Sequence, residues 1–228
     1  MFSSLLQWNC QGLRAKYEEL KLLISEFSPV LICVQETMLG VNTPCPRDYT
    51  SFRTAHIPAI GSHGGCLIYV RHDVPSLPLR LTTPLDAVAV QVDLGRKYSV
   101  CSLYLPPVSP NTHISQNDLA DLLDQLPRPF LLLGDLNGRH SLWGDVISNT
   151  RGNLLASWIE HGDVGLLNTG EPTHFHSQTG SFSSIDLSIC SSDCLIDFNW
   201  RVCDDLHSSD HFPLILESAC GLLLQRPS

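Results

Sequence analysis

Short apolar segments that lead into polar residues constrain the fold of this chain more than any other feature. Residues 3–8, 30–35 and 130–133 each have the length of a buried strand, and a polar side chain follows closely after each of them. Apolar runs of four to eight residues are typical of strands in a protein core, and none here approaches the roughly 18 residues of a membrane span. The sequence therefore predicts buried strands whose ends present functional groups.

Strand patterns outnumber helix patterns along the rest of the chain. A helix is predicted over residues 15–27, where apolar residues share one face and Pro29 stops the helix. Further strands are predicted over residues 65–71, 87–93, 98–104, 184–189, 198–202 and 212–216, and further helices over residues 115–126 and from Asn149 or Thr150 to residue 161. This order indicates an α/β (α+β) fold in which two packed sheets form a β-sandwich flanked by helices. Because no linker or repeat divides the sequence, we expect a single domain over residues 1–228.

The chain is acidic, with a formal net charge of −9, although only 16% of its residues are charged and 43% are hydrophobic. This balance suits one sizeable core. Taken alone, the acidic charge argues against a nucleic-acid-binding domain, which is usually basic. Bound cations would reverse the local field if several of the acidic residues were metal ligands. The net charge therefore argues against a nucleic-acid partner unless bound metal ions reverse the local field.

The nine cysteines indicate reduced thiols rather than a disulfide framework. Their number is odd, the chain is long, and several lie in or beside apolar segments, where a thiol packs as a small hydrophobe. A zinc site at Cys190 and Cys194 is the alternative, but no second pair with ligand spacing accompanies them. The first residues also lack the pattern of a signal peptide, so we expect an intracellular protein.

Asp135 and Asn137 follow the apolar segment 130–133 after Gly134. Residues two apart on an extended chain point to the same side, so one carboxylate and one amide are predicted to face a common site. The alternative is a turn in which the aspartate side chain simply ends the strand, and this segment alone does not decide between the two.

Three further strand ends carry a polar residue. Glu36 directly follows an apolar strand and is a candidate ligand for Mg²⁺, which prefers carboxylate, phosphate and water oxygens. Asn9 follows the first strand, and Tyr104 ends another just before a proline turn. The alternatives are a strand that reaches solvent for Glu36, a turn for Asn9 and ordinary packing for Tyr104.

Asp186 lies within an apolar, strand-like stretch, where an ionised carboxylate requires a partner. His211, in the triplet Ser209-Asp210-His211, is the obvious candidate. An aspartate that orients a histidine and favours its charged form is a common catalytic pairing, whereas a single histidine is more often a core or surface residue.

Taken together and in this order, these residues resemble the exonuclease–endonuclease–phosphatase superfamily, which includes DNase I and the abasic-site endonucleases. Within it, the sequence resembles the endonuclease domains of non-LTR (LINE-type) retrotransposons of the I-element and jockey kind. The segments that carry this closer resemblance are Gln7-Trp8-Asn9-Cys10-Gln11-Gly12-Leu13, Val34-Gln35-Glu36-Thr37, Gly134-Asp135-Leu136-Asn137-Gly138-Arg139-His140 with Trp143-Gly144, Asn149-Thr150-Arg151-Gly152, Leu167-Asn168-Thr169-Gly170-Glu171-Pro172-Thr173 and Ser184-Ile185-Asp186-Leu187.

The resemblance implies a four-layered, DNase I-like sandwich and a role for each matching residue. It implies that Glu36, helped by Asn9 and Asp210, holds Mg²⁺, for which Mn²⁺ can substitute. It further implies that Asp135 and Asn137 prepare the attacking water, that Tyr104 contacts the phosphate or the nucleophile, and that His211, paired with Asp186, stabilises the pentavalent phosphate. Gln11 departs from the family pattern, in which Asp or Asn is common at that position.

The resemblance also implies a partner and a biological role. The implied activity is the nicking of double-stranded DNA in the nucleus, which leaves a 3′-hydroxyl primer for target-primed reverse transcription. The implied partner is a reverse transcriptase domain of the same polyprotein. Residues 173–183 are predicted to form a hairpin that meets the minor groove. The candidate DNA contacts are Arg53, Arg139, Arg151, Thr173, His174, His176 and Ser183.

Two other functions remain open at the level of sequence. An abasic-site repair endonuclease or another phosphoesterase of the superfamily would keep the same catalytic core. A catalytically decayed domain that only binds nucleic acid is the alternative from another class, although the acidic charge disfavours it.

Overall fold

The computed structural model describes residues 4–38, 44–54, 64–109, 112 and 114–219. Its strands, in chain order, are β1 Ser4–Asn9, β2 Leu31–Gln35, β3 Tyr49–Arg53, β4 Leu67–Arg71, β5 Ser76–Leu79, β6 Asp86–Asp93, β7 Lys97–Tyr104, β8 Phe130–Asp135, β9 Val164–Leu166, β10 His174–His176, β11 Ser181–Ser183, β12 Asp186–Ser191, β13 Phe198–Val202 and β14 Leu214–Ser218. The helices are α1 Tyr17–Phe27, α2 Gln116–Leu123 and α3 Thr150–His161, with short 3-10 turns at Ser141–Trp143 and Ser192–Cys194. None of the described helices has the length and apolar character needed to cross a membrane.

Two six-stranded sheets contain all of the strands except β10 and β11, which form a separate hairpin. The first sheet has the order β13-β14-β1-β2-β4-β3, and the second has the order β5-β6-β7-β8-β12-β9. Each sheet has one parallel pair near its centre, β1 with β2 and β7 with β8, among antiparallel neighbours. A parallel pair requires a crossover connection, and these two crossovers contain α1 and α2.

Three apolar clusters explain the arrangement in layers. One lies between the sheets, one lies between the second sheet and helices α2 and α3, and one lies between the first sheet and α1. Along β8, Leu131 and Leu133 belong to the cluster between the sheets, whereas Leu132 belongs to the cluster under the helices. Because such a strand is covered on both faces, its sequence is continuously apolar instead of alternating.

The predicted two-sheet sandwich flanked by helices is confirmed, and the predicted helices and strands have bounds within three residues of those observed. Ser115 forms a capping box with Asp118 at the start of α2, and the Asn149 side chain caps α3. Strands β3, β5 and β9 were not predicted. All three lie at sheet edges, where a strand is half exposed and does not need a long apolar pattern.

The eight described cysteines are unpaired, and all of them except Cys45 are buried. This agrees with the prediction of free thiols rather than a disulfide framework. Among the described residues, neither Cys190 nor Cys194 belongs to a group of three potential metal ligands, so the zinc alternative finds no support there.

Candidate active site

The polar residues predicted for the site converge at one edge of the sandwich. Asn9 ends β1, and Tyr104 and Asp135 end β7 and β8, where they are register partners. Asp186 begins β12 as the partner of Asp135 on its other side. This convergence follows from the topology, because the carboxyl ends of the central parallel strands of both sheets lie at the same edge.

His211 lies among three aspartates in the centre of the site. Its Nδ1 is 2.9 Å from Oδ2 of Asp186, and its Nε2 is 3.9 Å from Oδ2 of Asp135 and 3.8 Å from Oδ1 of Asp210. Burial alone lowers the pKa of His211, but the negative charge and hydrogen bond of Asp186, together with the other two carboxylates, raise it to about 10. The imidazole is therefore held as a cation, with its Nε2–H directed at the centre of the site.

The buried hydroxyl of Thr173 fixes the orientation of Asp186. Its hydroxyl donates to Oδ2 of Asp186 at 2.6 Å and accepts from the backbone N–H groups of Ile185 and Asp186, both at 3.1 Å. Thr173 is completely buried. The same carboxylate oxygen therefore receives hydrogen bonds from Thr173 and His211, which satisfies a buried polar group that would otherwise be costly.

Three residues that follow strands at this edge have left-handed backbone conformations, namely Gln11 at φ 48°, Glu36 at φ 48° and Asn137 at φ 50°. This region costs about 1–2 kcal/mol for most residues other than glycine, and asparagine tolerates it best. Strained backbone of this kind concentrates at functional sites, where it directs side chains that an ordinary turn would not.

Asn9 joins two carboxylates. Its Nδ2 donates to Oδ2 of Asp135 at 2.9 Å and to Oε1 of Glu36 at 3.2 Å, and its Oδ1 accepts from the backbone N–H of Gln11. Tyr104, which is almost fully buried, donates its phenol hydrogen to Glu36. Burial first, and then the charges of Glu36 and Asp135, raise the pKa of Tyr104 far above its usual value, so the phenol stays neutral.

Asn137 completes the environment of Asp135. The carboxylate accepts from the backbone N–H of Asn137 at 3.0 Å and from its side-chain Nδ2 at 3.1 Å. The turn that the sequence left as an alternative is therefore present, and it is the turn that directs the amide back to the site. Burial raises the pKa of Asp135, and although the charge of His211 opposes this, the charge of Asp186 adds to it and the pKa stays raised at about 8.

Asp210 lies at the mouth of the site and is partly exposed. Its Oδ2 accepts from Nε2 of Gln11 at 3.0 Å, while its buried Oδ1 has no hydrogen-bond partner among the described residues. Burial raises the pKa of Asp210, but hydrogen bonding to His174 and the charge of His211 lower it below the usual value. An ionised carboxylate oxygen without a partner is a suitable ligand for a hard cation.

The candidate metal ligands fit a cation of this type. Glu36 and Asp135 present carboxylate oxygens on either side of the Asn9 amide, and Asp210 adds its unpartnered oxygen. Two groups of described residues bring three candidate ligand atoms within 4.8 Å of one another, His174 with Asp210 and His211, and Asp135 with Asp186 and His211. Glu36 belongs to neither group, and His211 offers no ligand atom while its ring is protonated, so only the carboxylates of these groups count as donors. An oxygen-rich donor set of this charge suits Mg²⁺ or Mn²⁺ better than softer metals.

The predicted DNA contacts divide into two buried residues, Arg151 and Thr173, and five that are at least partly accessible. The guanidinium of Arg151 is buried and donates to the carbonyls of Pro106, Leu136 and Thr112, so it supports the fold and does not face a phosphate. Thr173 is completely buried and donates to Asp186, so no part of its side chain is exposed to a groove in this structure.

The remaining candidates are at least partly accessible. Arg53 and His176 are exposed, whereas His174 and Ser183 are partly buried and contact each other. Arg139 is 27% exposed and forms a two-point ion pair with the buried Asp145. Its charge is therefore largely used inside the protein.

Sequence reasoning missed two aspartates that support this edge. Asp145 accepts from Arg139 and from the backbone N–H of Ser184, and it ties the loop after β8 to the start of β12. Asp86 pairs with Tyr104 across β6 and β7 and accepts from the N–H of Gly65 at 2.6 Å. In the sequence, Asp86 is marked only by its position directly before the predicted strand 87–93. Asp145 is marked only by following Trp143-Gly144.

Several transposon-encoded polymerases are similar in sequence to this chain. It is 28% identical over 229 residues to the probable RNA-directed DNA polymerase from transposon X-element of Drosophila melanogaster, with 96% of the chain covered. It is 27% identical over 212 residues, with 91% covered, to the RNA-directed DNA polymerase from mobile element jockey of the same species. The chain spans only about a quarter of the length of these relatives, 24% and 23% respectively.

Solved structures share the fold over nearly the whole chain. The endonuclease domain of TRAS1, a telomere-specific non-LTR retrotransposon, superposes with a TM-score of 0.79 at 24% identity, covering 96% of this chain and 98% of that one. A variant of the 3′ phosphatase NExo from Neisseria, bound to a product DNA hairpin, gives 0.75 at 17% identity, covering 95% and 99%. The model of the Endonuclease/Exonuclease/phosphatase family matches residues 6–211, which is most of the sequence. The four-layered fold, the convergent carboxylate and histidine site and this match agree, and the chain belongs to the endonuclease/exonuclease/phosphatase family.

Proposed function

We propose that this chain is the endonuclease domain of a non-LTR retrotransposon and that it nicks one strand of double-stranded DNA to leave a 3′-hydroxyl primer for target-primed reverse transcription. Its membership of a nuclease and phosphatase family supports phosphodiester hydrolysis. Its similarity to the X-element and jockey polymerases supports the retrotransposon origin. The chain spans about a quarter of the length of those proteins. We therefore also propose that it is one domain of a polyprotein, that the reverse transcriptase is another domain of that polyprotein, and that the endonuclease acts in the nucleus.

The observation that carries the proposal is the buried His211, which is held by Asp186 and lies beside the carboxylate of Asp135. Hydrolysis of a phosphodiester needs an aligned water molecule on one side of the phosphorus and positive charge around the oxygens where charge accumulates. Nε2 of His211 and Oδ2 of Asp135 lie side by side, 3.9 Å apart, so the site presents a donor for a phosphate oxygen next to an acceptor for the water molecule.

Each side chain then has a role that its contacts allow. Asp135, positioned by Asn9 and Asn137, accepts the proton of the water molecule whose oxygen attacks phosphorus. His211 donates through Nε2 to a phosphate oxygen of the pentavalent transition state. The neutral phenol of Tyr104 has one hydrogen, which it donates to Glu36 in this structure and would turn to a phosphate oxygen or to the water in the reaction. The bond between phosphorus and O3′ breaks, and O3′ takes a proton from a solvent water molecule, which leaves the 3′-hydroxyl and a 5′-phosphate.

Glu36 and Asp210 are the residues that we propose to hold Mg²⁺, and Mn²⁺ would be accepted by the same oxygens. Asn9 takes part through its bridge between Glu36 and Asp135, and its oxygen becomes available only if the amide rotates away from the N–H of Gln11. When bound, the cation neutralises charge on the phosphate oxygens and offsets the acidic character of the site.

Nicking of supercoiled plasmid DNA tests the proposal. In the presence of Mg²⁺ the wild-type domain should convert supercoiled plasmid into open circles, and His211→Ala should reduce the rate by about two to four orders of magnitude. Lack of nicking by the wild type in Mg²⁺ and Mn²⁺, or an equal rate for His211→Ala, would overturn it. A much faster reaction on duplexes with an abasic site than on intact DNA would instead identify a repair endonuclease.

A further inference from the structure

The hairpin of β10 and β11 is hydrogen-bonded to the segment that carries the candidate catalytic histidine. The backbone N–H of Phe175 donates to the carbonyl of Asp210, and the N–H of Phe212 donates to the carbonyl of Thr173, each at 2.8 Å. Strand β10 thereby adds a short antiparallel pairing to residues 210–212. The hairpin and the catalytic segment are therefore joined by their backbones and do not merely lie side by side.

Aromatic packing stiffens this junction. The ring of Phe182 on β11 lies 5.1 Å from the ring of Phe175 and is stacked on Phe212 at 6.4 Å with an interplanar angle of 22°. Interactions of this kind between rings contribute about 0.5–1.5 kcal/mol each beyond the area that they bury. A displacement of the hairpin therefore also displaces the residue next to His211.

His174 connects the hairpin to the side chains of the site. Its ring packs edge-on against the ring of His211, with centroids 4.6 Å apart and an interplanar angle of 61°. Its Nε2 lies 3.8 Å from Oδ2 of Asp210, and its Nδ1 lies 3.1 Å from the hydroxyl of Ser183 on the other strand of the hairpin. The side chain is only 13% exposed, so most of its surface faces protein and little is left for DNA.

His176 provides a contrast within the same strand. It follows His174 by two residues and shares its face of the hairpin, with ring centroids 6.1 Å apart. However, it is exposed, and its Nδ1 lies 3.1 Å from the hydroxyl of Thr179 at the hairpin turn. Of two histidines on one face, His174 is thus packed against the site while His176 is presented to solvent.

We infer that His174 is a positioning residue that holds the ring of His211 and the carboxylate of Asp210 in their working geometry and couples them to the hairpin. The inference rests on the proposed function, and it gives the hairpin a role in catalysis in addition to its predicted contact with the minor groove. DNA that presses on the hairpin alters the catalytic rate through His174, so a preference among target sites is expressed in kcat as well as in binding.

Steady-state nicking of a defined duplex by variants of the two histidines tests this inference. His174→Ala should lower kcat by about ten- to a hundredfold, as a small displacement of a catalytic group does, while KM stays within about twofold. His174→Gln, whose amide nitrogen takes approximately the place of Nε2 beside Asp210, should recover part of the loss. His176→Ala should act on KM instead, and His161→Ala, on exposed helix surface at the end of α3, should change neither constant. A rise in KM with unchanged kcat for His174→Ala would show that this residue only contacts DNA.

A measurement that needs no activity separates this inference from the proposed function. In NMR spectra of the histidine side chains, His174→Ala should shift the ring resonances of His211, which lies against it, whereas His176→Ala should leave them in place. Unchanged His211 resonances in a folded His174→Ala protein would overturn the inference. If the wild type did not nick DNA, the proposed function would fail, while the spectra would still decide whether the two rings are coupled.

Discussion

Replacing Thr173 with valine removes one hydroxyl from the buried contact between the hairpin strand and Asp186 and preserves the shape of the side chain. That hydroxyl makes three hydrogen bonds, one to the carboxylate of Asp186 at 2.6 Å and two from the backbone N–H groups of residues 185 and 186. The valine methyl group can make none of them. Thr173→Val therefore tests whether this threonine supports the catalytic pair or contacts DNA.

The size of the effect follows from those three bonds. A hydrogen bond to a charged group contributes about 1.5–3 kcal/mol to stability, and each buried N–H left without a partner costs about 1–3 kcal/mol. These values do not add fully, because the segment around Asp186 can relax, so we expect Thr173→Val to lower the free energy of unfolding by about 2–5 kcal/mol. Since Asp186 then loses one of the two donors to its Oδ2, the orientation of His211 loosens and kcat should fall by about tenfold or more.

Urea denaturation and steady-state nicking measure the two effects, and Thr173→Ser is the matched control. Serine retains the hydroxyl and loses one methyl group, so it should preserve kcat within about threefold and lower the unfolding free energy by about 1 kcal/mol. Equal stability and kcat for the valine and serine variants would refute the reasoning. So would a valine variant with normal kcat and a raised KM, because that is the result expected of a DNA contact.

Three further predictions concern the support of the site and its metal. Asp145→Asn should lower the free energy of unfolding at pH 7 by about 2–4 kcal/mol in urea titrations. Burial raises the pKa of Asp145, but Arg139 and two backbone N–H groups outweigh it and lower the pKa in the folded protein. The stabilisation is therefore present above about pH 4 and is lost as the pH falls through the lowered pKa of the folded state, where wild type and variant should converge. Arg151→Met should destabilise the protein by about 2 kcal/mol without changing the salt dependence of DNA binding, whereas a shallower salt dependence would mean that Arg151 neutralises a phosphate. EDTA should stop nicking, and added Mg²⁺ should restore it. Glu36→Gln should raise the Mg²⁺ concentration that gives half the maximal rate by at least about tenfold. If that concentration is unchanged, Glu36 is not a ligand.

The sequence was sufficient to predict the architecture because the core strands are covered on both faces. The segments 3–8, 30–35 and 130–133 became β1, β2 and β8, all central strands. The strands missed were edge strands such as β5, which contains a proline at position 78 that an edge strand tolerates. Where burial dictates the residue types, the pattern was informative, and at the edges it was not.

The candidate site was predictable as a set of residues, and of its internal contacts only the pairing of Asp186 with His211 was predicted. The pairing of Asp186 with His211 was predicted from the need of a buried carboxylate for a partner, and the structure places their atoms 2.9 Å apart. The burial of Thr173 and Arg151 was not predictable, because a threonine or an arginine beside a site looks the same in sequence whether it faces DNA or the core. Burial depends on how distant segments pack, which a local pattern does not contain.

The chemistry of the nicked ends tests the central claim most directly. Plasmid nicked by the domain in Mg²⁺, purified without phosphatase treatment, is offered to a DNA polymerase with labelled nucleotides. We predict that the nicks are extended at once, because cleavage between phosphorus and O3′ leaves a free 3′-hydroxyl, and that the Asp186→Asn and His211→Ala variants yield neither nicks nor label at comparable enzyme concentration. Nicks that are extended only after removal of a 3′-phosphate, or equal labelling with the His211→Ala variant, would contradict the account.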